Sequence, residues 1–339
     1  MGEVASGLAA GLSLPLLNAQ PPFAAKGDMP YRTLGRTGEQ VSLLGLGGYP
    51  LGRMTSDDEC TRFVHAAIDS GVNFMDNSWD YNTGVSEYRL GKALSEGYRK
   101  KVFLMTKIDG QTRDASAWQL DECLLRLRTD VIDLLQIHEV VRMGDPERIF
   151  GPNGAMETLL AARKAGKIRY VGFTGHYDPD IFLKMLDVSA RNGFTFDTVQ
   201  MPVNVMDAHY RSFTRKVLPL LVKQNIGVLA MKTLGGGAFL GKGTYGEDRG
   251  NILEELKIAP AECLQYAMSL PISVLISGMD DEAMLMTNVE LASRFRQMSE
   301  SEIAALLAKT REVALTGHYE WFKSYPGGGW TGENPWVLG

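Results

Sequence analysis

Apolar and polar positions alternate from about residue 28 in a repeated two-part pattern. A short apolar run with the length of a buried strand is followed each time by a longer stretch with the apolar spacing of an amphipathic helix. The eight predicted strands are residues 43–47, 73–76, 102–107, 132–138, 170–173, 198–201, 227–231 and 273–276. The helices predicted after them are residues 56–71, 87–96, 115–127, 156–165, 179–191, 212–224, 260–269 and 281–292, the first opened by a Ser-x-x-Glu capping box.

Repeated strand–helix alternation predicts parallel strands joined by right-handed crossovers. Eight such pairs in about 260 residues match a closed (β/α)₈ barrel. The alternative is a doubly wound open sheet, which needs a glycine-rich phosphate loop after its first strand, and residues 45–48 match that loop only in part. Two extended runs at residues 31–34 and 41–44 predict a β-hairpin before the barrel. A further helix is predicted at residues 301–310, beyond the eightfold pattern.

The two ends of the chain fall outside this pattern, so we divide it into residues 1–28, a barrel domain of residues 29–318 and a tail of residues 319–339. Residues 4–17 are apolar and small residues follow them, as in an export leader, but the basic start is absent. This leaves a leader remnant of an exported protein or a disordered tail of a cytoplasmic one. The tail is rich in aromatic residues and glycine, and it either covers the barrel mouth or contacts a neighbouring subunit in a homo-oligomer.

Composition narrows the class of protein. The 339 residues are 45% apolar, which is enough for a large core, and the net charge of −5 with mixed signs argues against a nucleic-acid partner. The three cysteines form no Cys-x-x-Cys motif and the histidines fall in no metal-binding pattern, so neither an iron–sulfur cluster nor a metal ion is predicted. No segment is apolar enough to predict a membrane span.

Candidate catalytic residues lie at the ends of successive predicted strands, where barrel enzymes have their active sites. The second, third and fourth predicted strands end on Asp76, Lys107 and His138, and Tyr81 follows Asp76 by five residues. A free tyrosine has a pKa of about 10, and a nearby Lys107 ammonium is expected to lower it. Asp76 would hold Lys107, and His138 would orient a substrate carbonyl. These four residues together suit a proton donor for carbonyl reduction.

Three stretches of this sequence resemble the aldo-keto reductases. They are Gly-Val-Asn-Phe-Met-Asp-Asn-Ser-Trp-Asp-Tyr-Asn-Thr-Gly-Val-Ser-Glu at residues 71–87, Asp-Leu-Leu-Gln-Ile-His at residues 133–138 and Leu-Ala-Ala-Arg-Lys-Ala-Gly-Lys-Ile-Arg-Tyr-Val-Gly at residues 160–172. The likeness runs from about residue 31 to residue 292, with every strand in order. It implies an NAD(P)(H)-dependent oxidoreductase that interconverts carbonyls and alcohols, with a catalytic tetrad of Asp76, Tyr81, Lys107 and His138.

The same resemblance implies a nicotinamide dinucleotide site along the strand ends. Its residues here would be Gly48, Thr174, Gly175, Gln200, Met231, Lys232, Leu234, Gly235, Gly278, Asp280 and Asn288. Two positions depart from the family pattern, because Gly175 stands where an asparagine is usual and Met231 where an aromatic ring commonly stacks on the nicotinamide. Lys232 and the glycines after it would approach the pyrophosphate.

The segment that wraps the adenosine ribose in this family is acidic here. Residues 277–293 contain no basic residue, whereas Asp280, Asp281 and Glu282 lie together. Carboxylates repel a 2′-phosphate and accept a hydrogen bond from a ribose 2′-hydroxyl, so the sequence favours NADH over NADPH. The alternative is that these acids only cap the following helix.

The expected partner is a small-molecule carbonyl or alcohol. Loops around Tyr49, Trp79, 139–150 and 207–210 would line its pocket, and their aromatic residues favour a small, partly apolar carbonyl, with a sugar-derived ketone among the candidates. A cofactor-binding sensor or accessory subunit with little turnover is the alternative function. It differs from an enzyme in that bound cofactor would not turn over.

Overall fold

Eight parallel strands close into a barrel in the computed structural model, which describes residues 24–26, 28–242 and 249–324. The barrel strands are β4 Leu44–Gly47, β5 Phe74–Asp76, β6 Phe103–Ile108, β7 Ile132–Ile137, β8 Ile168–Thr174, β9 Thr198–Pro202, β10 Gly227–Met231 and β11 Val274–Gly278. They pair in chain order, and β11 returns to β4 with Leu275 opposite Leu44. The closed ring confirms the predicted (β/α)₈ barrel and excludes the open doubly wound sheet.

The strands are separated by helices that cover the outside of the barrel. These are α1 Asp57–Asp69, α2 Val85–Ala93, α3 Arg113–Leu127, α4 Asp145–Phe150, α5 Ala155–Lys164, α6 Pro179–Arg191, α7 Phe213–Lys216, α8 Leu218–Lys223, α9 Ile252–Glu255, α10 Pro260–Ser269, α11 Glu282–Ser293 and α12 Glu300–Ala314. Ser56 caps α1 as its sequence predicts, accepting a hydrogen bond from the Glu59 backbone. Among the described residues, no helix has the length and apolar character needed to cross a membrane.

The helix predicted at residues 212–224 is instead two short helices, α7 and α8. Pro219 lies in the first turn of α8, where its missing N–H is tolerated, but it has no donor to continue the preceding helix. The apolar spacing on both sides of the break is helical, which is why the period alone predicted one element.

An antiparallel sheet lies before the barrel, as the hairpin pattern predicts, and has three strands: β1 Ala24–Lys26, β2 Met29–Thr33 and β3 Gln40–Ser42. Leu34 and Val41 from this hairpin join a buried cluster with side chains of the barrel strands, such as Phe74 and Leu134. The hairpin therefore fills one end of the barrel interior. The remainder of residues 1–28, apart from β1 and Asp28, lies outside the described residues.

Arg32 fixes this hairpin to the barrel wall. Its guanidinium is fully buried and donates to the backbone carbonyls of Met268, Leu270 and Ile272 at 2.7, 3.3 and 2.8 Å. Burial lowers the pKa of Arg32 to about 9. The carbonyls belong to the end of α10 and the link to β11, where the negative pole of the helix favours a cation.

We expect Arg32→Met to lower the free energy of unfolding by about 2–5 kcal/mol, because three buried carbonyls lose a charged donor. Denaturant unfolding followed by circular dichroism measures the change. Arg294→Met is the control, since the Arg294 side chain is 80% exposed and its loss should leave the midpoint unchanged. Equal midpoints for wild type and Arg32→Met would contradict this role of Arg32.

Candidate active site

The barrel register brings the four predicted tetrad residues to one end of the barrel. Asp76 ends β5, Lys107 lies in β6 and His138 follows β7 directly. Tyr81 opens a short 3₁₀ helix, Tyr81–Gly84, in the loop after β5. Because all these strands are parallel, their carboxyl ends meet at the same rim, so residues far apart in sequence come into contact.

A buried ion pair holds the tyrosine side of the site. The Lys107 ammonium contacts the Asp76 carboxylate and donates to the Asn77 carbonyl at 2.8 Å and to the Tyr81 hydroxyl at 3.1 Å. The Lys107 and Asp76 side chains are only 1% and 4% exposed. Gln200 on β9 donates to the second Asp76 oxygen at 3.1 Å. Lys107 is therefore fixed from three directions, and it fixes the phenol in turn.

The predicted lowering of the Tyr81 pKa by Lys107 is wrong for this structure. Burial raises the pKa of Tyr81 well above its usual value, and the carboxylates of Asp76, Asp80, Glu139 and Asp109 raise it further. Four negative groups around the phenol oppose its ionisation, whereas the Lys107 ammonium that donates to it is already paired with Asp76. The phenol consequently keeps its proton at neutral pH, as a proton donor requires.

His138 lies on the other side of Tyr81 within a group of acceptors that sequence reasoning missed. Its Nδ1 is 2.7 Å from Asp109 Oδ1, 3.2 Å from Ser78 Oγ and 3.5 Å from Asp80 Oδ1. The Tyr81 and His138 ring centroids are 6.0 Å apart. Asp109 is two residues beyond Lys107 and Asp80 immediately precedes Tyr81, so their proximity to candidate catalytic residues was the available signal.

Burial and charge act in opposite directions on this histidine. Burial lowers the pKa of His138, but Asp80, Asp109 and Glu139 together outweigh it and raise the value to about 9. For Asp80, burial raises the pKa and the neighbouring Asp109 adds to the effect, giving about 6 despite the opposing influence of His138.

The same three side chains have the composition of a metal-ligand set. Ligand atoms of Asp80, Asp109 and His138 lie within 4.8 Å of one another, although the sequence shows no local metal motif. The separation of 2.7 Å between His138 Nδ1 and Asp109 Oδ1 is that of a charge-assisted hydrogen bond. Two ligand atoms of one tetrahedral zinc ion lie farther apart, at about 3 Å or more, because each bond from the metal is about 2 Å long. His138 and Asp109 are therefore placed as partners in a hydrogen bond.

The candidate nicotinamide residues of β8 and β9 lie beside the tetrad and fit the cofactor in part. Gln200 is buried, and its Oε1 has no hydrogen-bond partner while its Nε2 holds Asp76. A buried acceptor of this kind suits the N–H of a carboxamide. Thr174 is also buried at the end of β8. Gly175 contributes no side chain, and an added Cβ would lie 2.6 Å from the Val140 carbonyl oxygen.

The segment predicted to bind the pyrophosphate follows β10 and contains a lysine and three glycines. Met231 is half-buried at the strand end, and Lys232 follows it with a left-handed φ of 58°. The pKa of Lys232 is lowered, mainly by burial; the Glu139 carboxylate opposes this effect and the Lys107 ammonium adds to it. Leu234 precedes a 3₁₀ helix that starts at Gly235, where three consecutive glycines adopt positive φ. Positive φ is strained for residues other than glycine, and the Gly235 and Gly237 N–H groups donate to the carbonyls of Lys232 and Leu234 within this turn.

The candidate adenosine segment is at the junction of β11 and α11. Gly278 ends β11 and packs near Pro50, and Asn288 donates to Ser277 Oγ at 3.2 Å. Asp281 caps α11 by accepting from the Met284 backbone, which is the helix-capping role considered for these acids. Asp280 is exposed before it.

The first barrel strand and the loop after β5 contribute the remaining predicted residues. Gly48 adjoins Asp76, since an added Cβ would be 2.5 Å from the Asp76 carbonyl oxygen. Tyr49 packs edge-on against Tyr81 with ring centroids 5.5 Å apart. The Trp79 indole instead donates to Glu122 at 2.6 Å. The structure therefore places Tyr49 next to the candidate proton donor, while it ties Trp79 to α3.

The last described turn of the chain also reaches this rim. Lys323 is fully buried and contacts Asp207 at 2.6 Å and Glu320 at 2.9 Å. It thereby holds Trp321 and Phe322, whose ring centroids lie 5.6 and 5.7 Å from the Lys232 ammonium. Burial raises the pKa of Glu320 to about 7. The rest of the predicted tail lies outside the described residues.

Similarity to known proteins identifies the family of this chain. The model of the Aldo/keto reductase family matches residues 43–309. The chain is 29% identical over 256 residues to the uncharacterized oxidoreductase YrpG of Bacillus subtilis, covering 68% of this chain and 76% of that protein. It is 27% identical over 320 residues to L-galactose dehydrogenase of Arabidopsis thaliana, covering 83% and 95%.

Among solved structures, the aldo-keto reductase AKR11C1 from Bacillus halodurans in its holo form superposes with a TM-score of 0.69. The identity is 22%, with 84% of this chain and all of that chain covered, which is a likeness of fold. The family match spans most of the sequence. The chain therefore belongs to the aldo/keto reductase family and is an NAD(P)H-dependent oxidoreductase.

We expect that the asparagine usual in the family cannot be restored at Gly175. Gly175→Asn would force a Cβ against the Val140 carbonyl and the Phe182 ring, at a cost of about 1–3 kcal/mol. Thermal unfolding measures it. Gly144→Asn is the matched control, because Gly144 is exposed with open space around it and asparagine suits its position as a helix cap. Equal melting temperatures for the two variants would contradict the predicted clash.

Proposed function

We propose that the protein reduces an aldehyde or ketone to an alcohol, or catalyses the reverse reaction, with Tyr81 as the proton donor. The observation that carries this proposal is the hydrogen bond of 3.1 Å from the Lys107 ammonium to the Tyr81 hydroxyl, with Lys107 itself held by Asp76. Bound NAD(P)H supplies the hydride. The chain must then bind the carbonyl, exclude water from it and protonate its oxygen.

Tyr81 delivers the proton and Lys107 orients it. The raised pKa of Tyr81 keeps the phenol protonated until negative charge develops on the substrate oxygen. Lys107 has three hydrogens, and its contacts with Asp76, Asn77 and Tyr81 direct one of them to the phenol oxygen. That hydrogen bond favours the phenolate left after proton transfer.

Gln200 and Thr174 would hold the nicotinamide carboxamide, and the loop of Lys232, Leu234 and Gly235 would hold the pyrophosphate. The unpartnered Gln200 Oε1 supports the first assignment. The Lys232 ammonium and the three consecutive glycines, which have no Cβ to keep a phosphate at a distance, support the second. Gly175 adds no amide to this set, so Gln200 carries more of the carboxamide recognition than the usual pattern requires. Since Gln200 also holds Asp76, it couples the position of the ring to that of the tetrad.

The substrate we propose is a small carbonyl compound with hydroxyl groups, such as a sugar or a sugar-derived ketone. Tyr49 provides an aromatic face beside Tyr81, and the buried His176 and Glu139, 3.3 Å apart, provide polar groups near the same rim. The name of the plant relative, L-galactose dehydrogenase, supports a substrate of this class.

Tyr81→Phe should lower the rate of carbonyl reduction by about 100-fold or more, because the general acid is lost while the ring remains. The loss of reduced-nicotinamide absorbance, measured with panels of aldehydes, ketones and sugars, reports the rate. Tyr88→Phe serves as the control, as Tyr88 is 44% exposed on α2. Unchanged turnover in Tyr81→Phe would refute the mechanism. Tight cofactor binding without turnover on any carbonyl would favour the sensor function.

NADH is the cofactor we propose, and the support is that the exposed Asp280 and Glu282 belong to the segment that the resemblance assigns to the adenosine ribose. We expect a higher kcat/KM with NADH, and Asp280→Asn should improve kcat/KM for NADPH by about fivefold, because one repulsive charge near water is worth about 1 kcal/mol. Glu290→Gln, an exposed change further along α11, is the control. A preference for NADPH that Asp280→Asn leaves unaltered would contradict this assignment.

A further inference from the structure

Two carboxylates outside the tetrad contact one nitrogen of His138. Nδ1 lies 2.7 Å from Asp109 Oδ1 and 3.5 Å from Asp80 Oδ1. Asp109 is fully buried at the end of β6, where the side chain of Gln119 also accepts from its backbone N–H at 2.8 Å. The Asp109 backbone is therefore fixed independently of the histidine, and its carboxylate is a rigid support for the imidazole ring.

The hydrogen bonds around Nδ1 define where its proton is. Ser78 Oγ donates its one hydrogen to Asp80 Oδ1 at 2.5 Å, so it can only accept from His138 Nδ1 at 3.2 Å. All three oxygens near Nδ1 are then acceptors, and Nδ1 must carry a hydrogen. This leaves Nε2 as the ring nitrogen for a substrate oxygen.

The charge around the ring determines whether Nε2 is protonated as well. His138 faces Asp80 from the loop after β5, Asp109 from the end of β6, Glu139 from its own loop and the neutral phenol of Tyr81. A neutral imidazole would leave this buried negative charge less compensated, whereas an imidazolium offsets part of it. The charged form is thus favoured, in line with the raised pKa of His138.

We propose that Asp109 is a positioning residue that holds His138 through Nδ1 as an imidazolium, so that Nε2–H donates a hydrogen bond to the substrate carbonyl oxygen beside the Tyr81 hydroxyl. This inference rests on the proposed function of the tetrad. His138 neither gains nor loses a proton overall: hydride adds to the carbonyl carbon, the Tyr81 proton goes to the oxygen, and His138 stabilises the charge that develops there.

The direct test is titration of the His138 ring by ¹⁵N NMR in the full chain without substrate, with His138→Gln used to assign the signals. In the wild type, the imidazolium signals should persist at neutral pH and disappear near pH 9. Asp109→Asn removes an opposite charge, which disfavours the protonated form, so the midpoint should fall by about 1–3 pH units. A wild-type midpoint below neutral pH, or the same midpoint in Asp109→Asn, would overturn the proposal.

The kinetic test is the pH dependence of kcat for carbonyl reduction. The wild-type rate should fall as pH rises through about 9, where the imidazolium is lost. In Asp109→Asn this alkaline limb should move to lower pH, and kcat at neutral pH should fall by about 10-fold or more as the donor to the developing oxyanion is lost. The KM for the cofactor should stay the same, because neither residue faces it in this proposal.

Asp133→Asn is the matched control. Asp133 is also buried, but it pairs with Arg99 and Arg169 at 2.7 Å near the start of β7, at the other end of the barrel. Its substitution should lower stability without moving the alkaline limb, and an equal displacement of that limb would overturn the proposal. Should Asp109→Asn not fold, Asp80→Asn must shift the His138 midpoint in the same direction. Because the NMR titration needs no turnover, it decides this inference even if Tyr81→Phe refutes the proposed function.

Discussion

The buried ion pair of Lys107 and Asp76 is the interaction on which the rest of the site depends. Removing two charges from water costs several kcal/mol per ion, and good geometry with further hydrogen bonds must offset that cost. Those further bonds come from the Asn77 carbonyl, the Tyr81 hydroxyl and the Gln200 amide. The groups that stabilise the pair are therefore also the candidate proton donor and the candidate nicotinamide residue. The hydrogen bonds that stabilise this ion pair in the folded barrel therefore also hold the site residues in place.

The charged groups at the rim form two sets, one around Lys107 and Tyr81 and the other around His138. On one side Lys107 is neutralised by Asp76 and directs a hydrogen bond to Tyr81, whose pKa is raised by burial and further by the surrounding carboxylates, so that it retains its proton. On the other side the excess negative charge gathers around His138 and favours its protonated form. The surrounding carboxylates thus favour a hydrogen on both groups that would meet a carbonyl oxygen, and burial of the phenol adds to this effect at Tyr81. This arrangement suits reduction, in which the oxygen must receive a proton.

The barrel and the meeting of Asp76, Tyr81, Lys107 and His138 at one rim could be predicted from the sequence because both depend on local patterns. Eight apolar runs with helical stretches between them define the ring, and residues at successive strand ends must meet once the strands are parallel. The Tyr81 pKa could not be predicted in this way. The largest cause of the raised value is burial of the phenol, and the surrounding carboxylates add to it; both depend on how the loop after β5 folds and on the pairing of β5 with β6.

Other features depend on single residues or on distant contacts. The break between α7 and α8 is caused by Pro219. The apolar residues on both sides of it keep a helical spacing, so a prediction from that spacing alone does not detect the break. The role of Ser78 depends on the direction of one hydroxyl, which is set by Asp80 two residues later. The roles of Ser78 and Asp80 are thus decided by loop geometry, whereas that of Asp109 depends on where β6 ends beside β7.

The C-terminal turn shows how far the site extends beyond the barrel. A buried cation such as Lys323 is weak evidence for stability, since apolar replacements of buried ion pairs are often at least as stable. Its contacts with Asp207, Glu320 and the Tyr210 carbonyl instead hold the C-terminal turn in one defined position. Asp207 belongs to the loop after β9, the strand that carries Gln200, so the turn is tied to the wall that would hold the nicotinamide. Trp321 and Phe322 are thereby fixed beside Lys232, so a segment outside the eightfold repeat packs against this candidate cofactor residue.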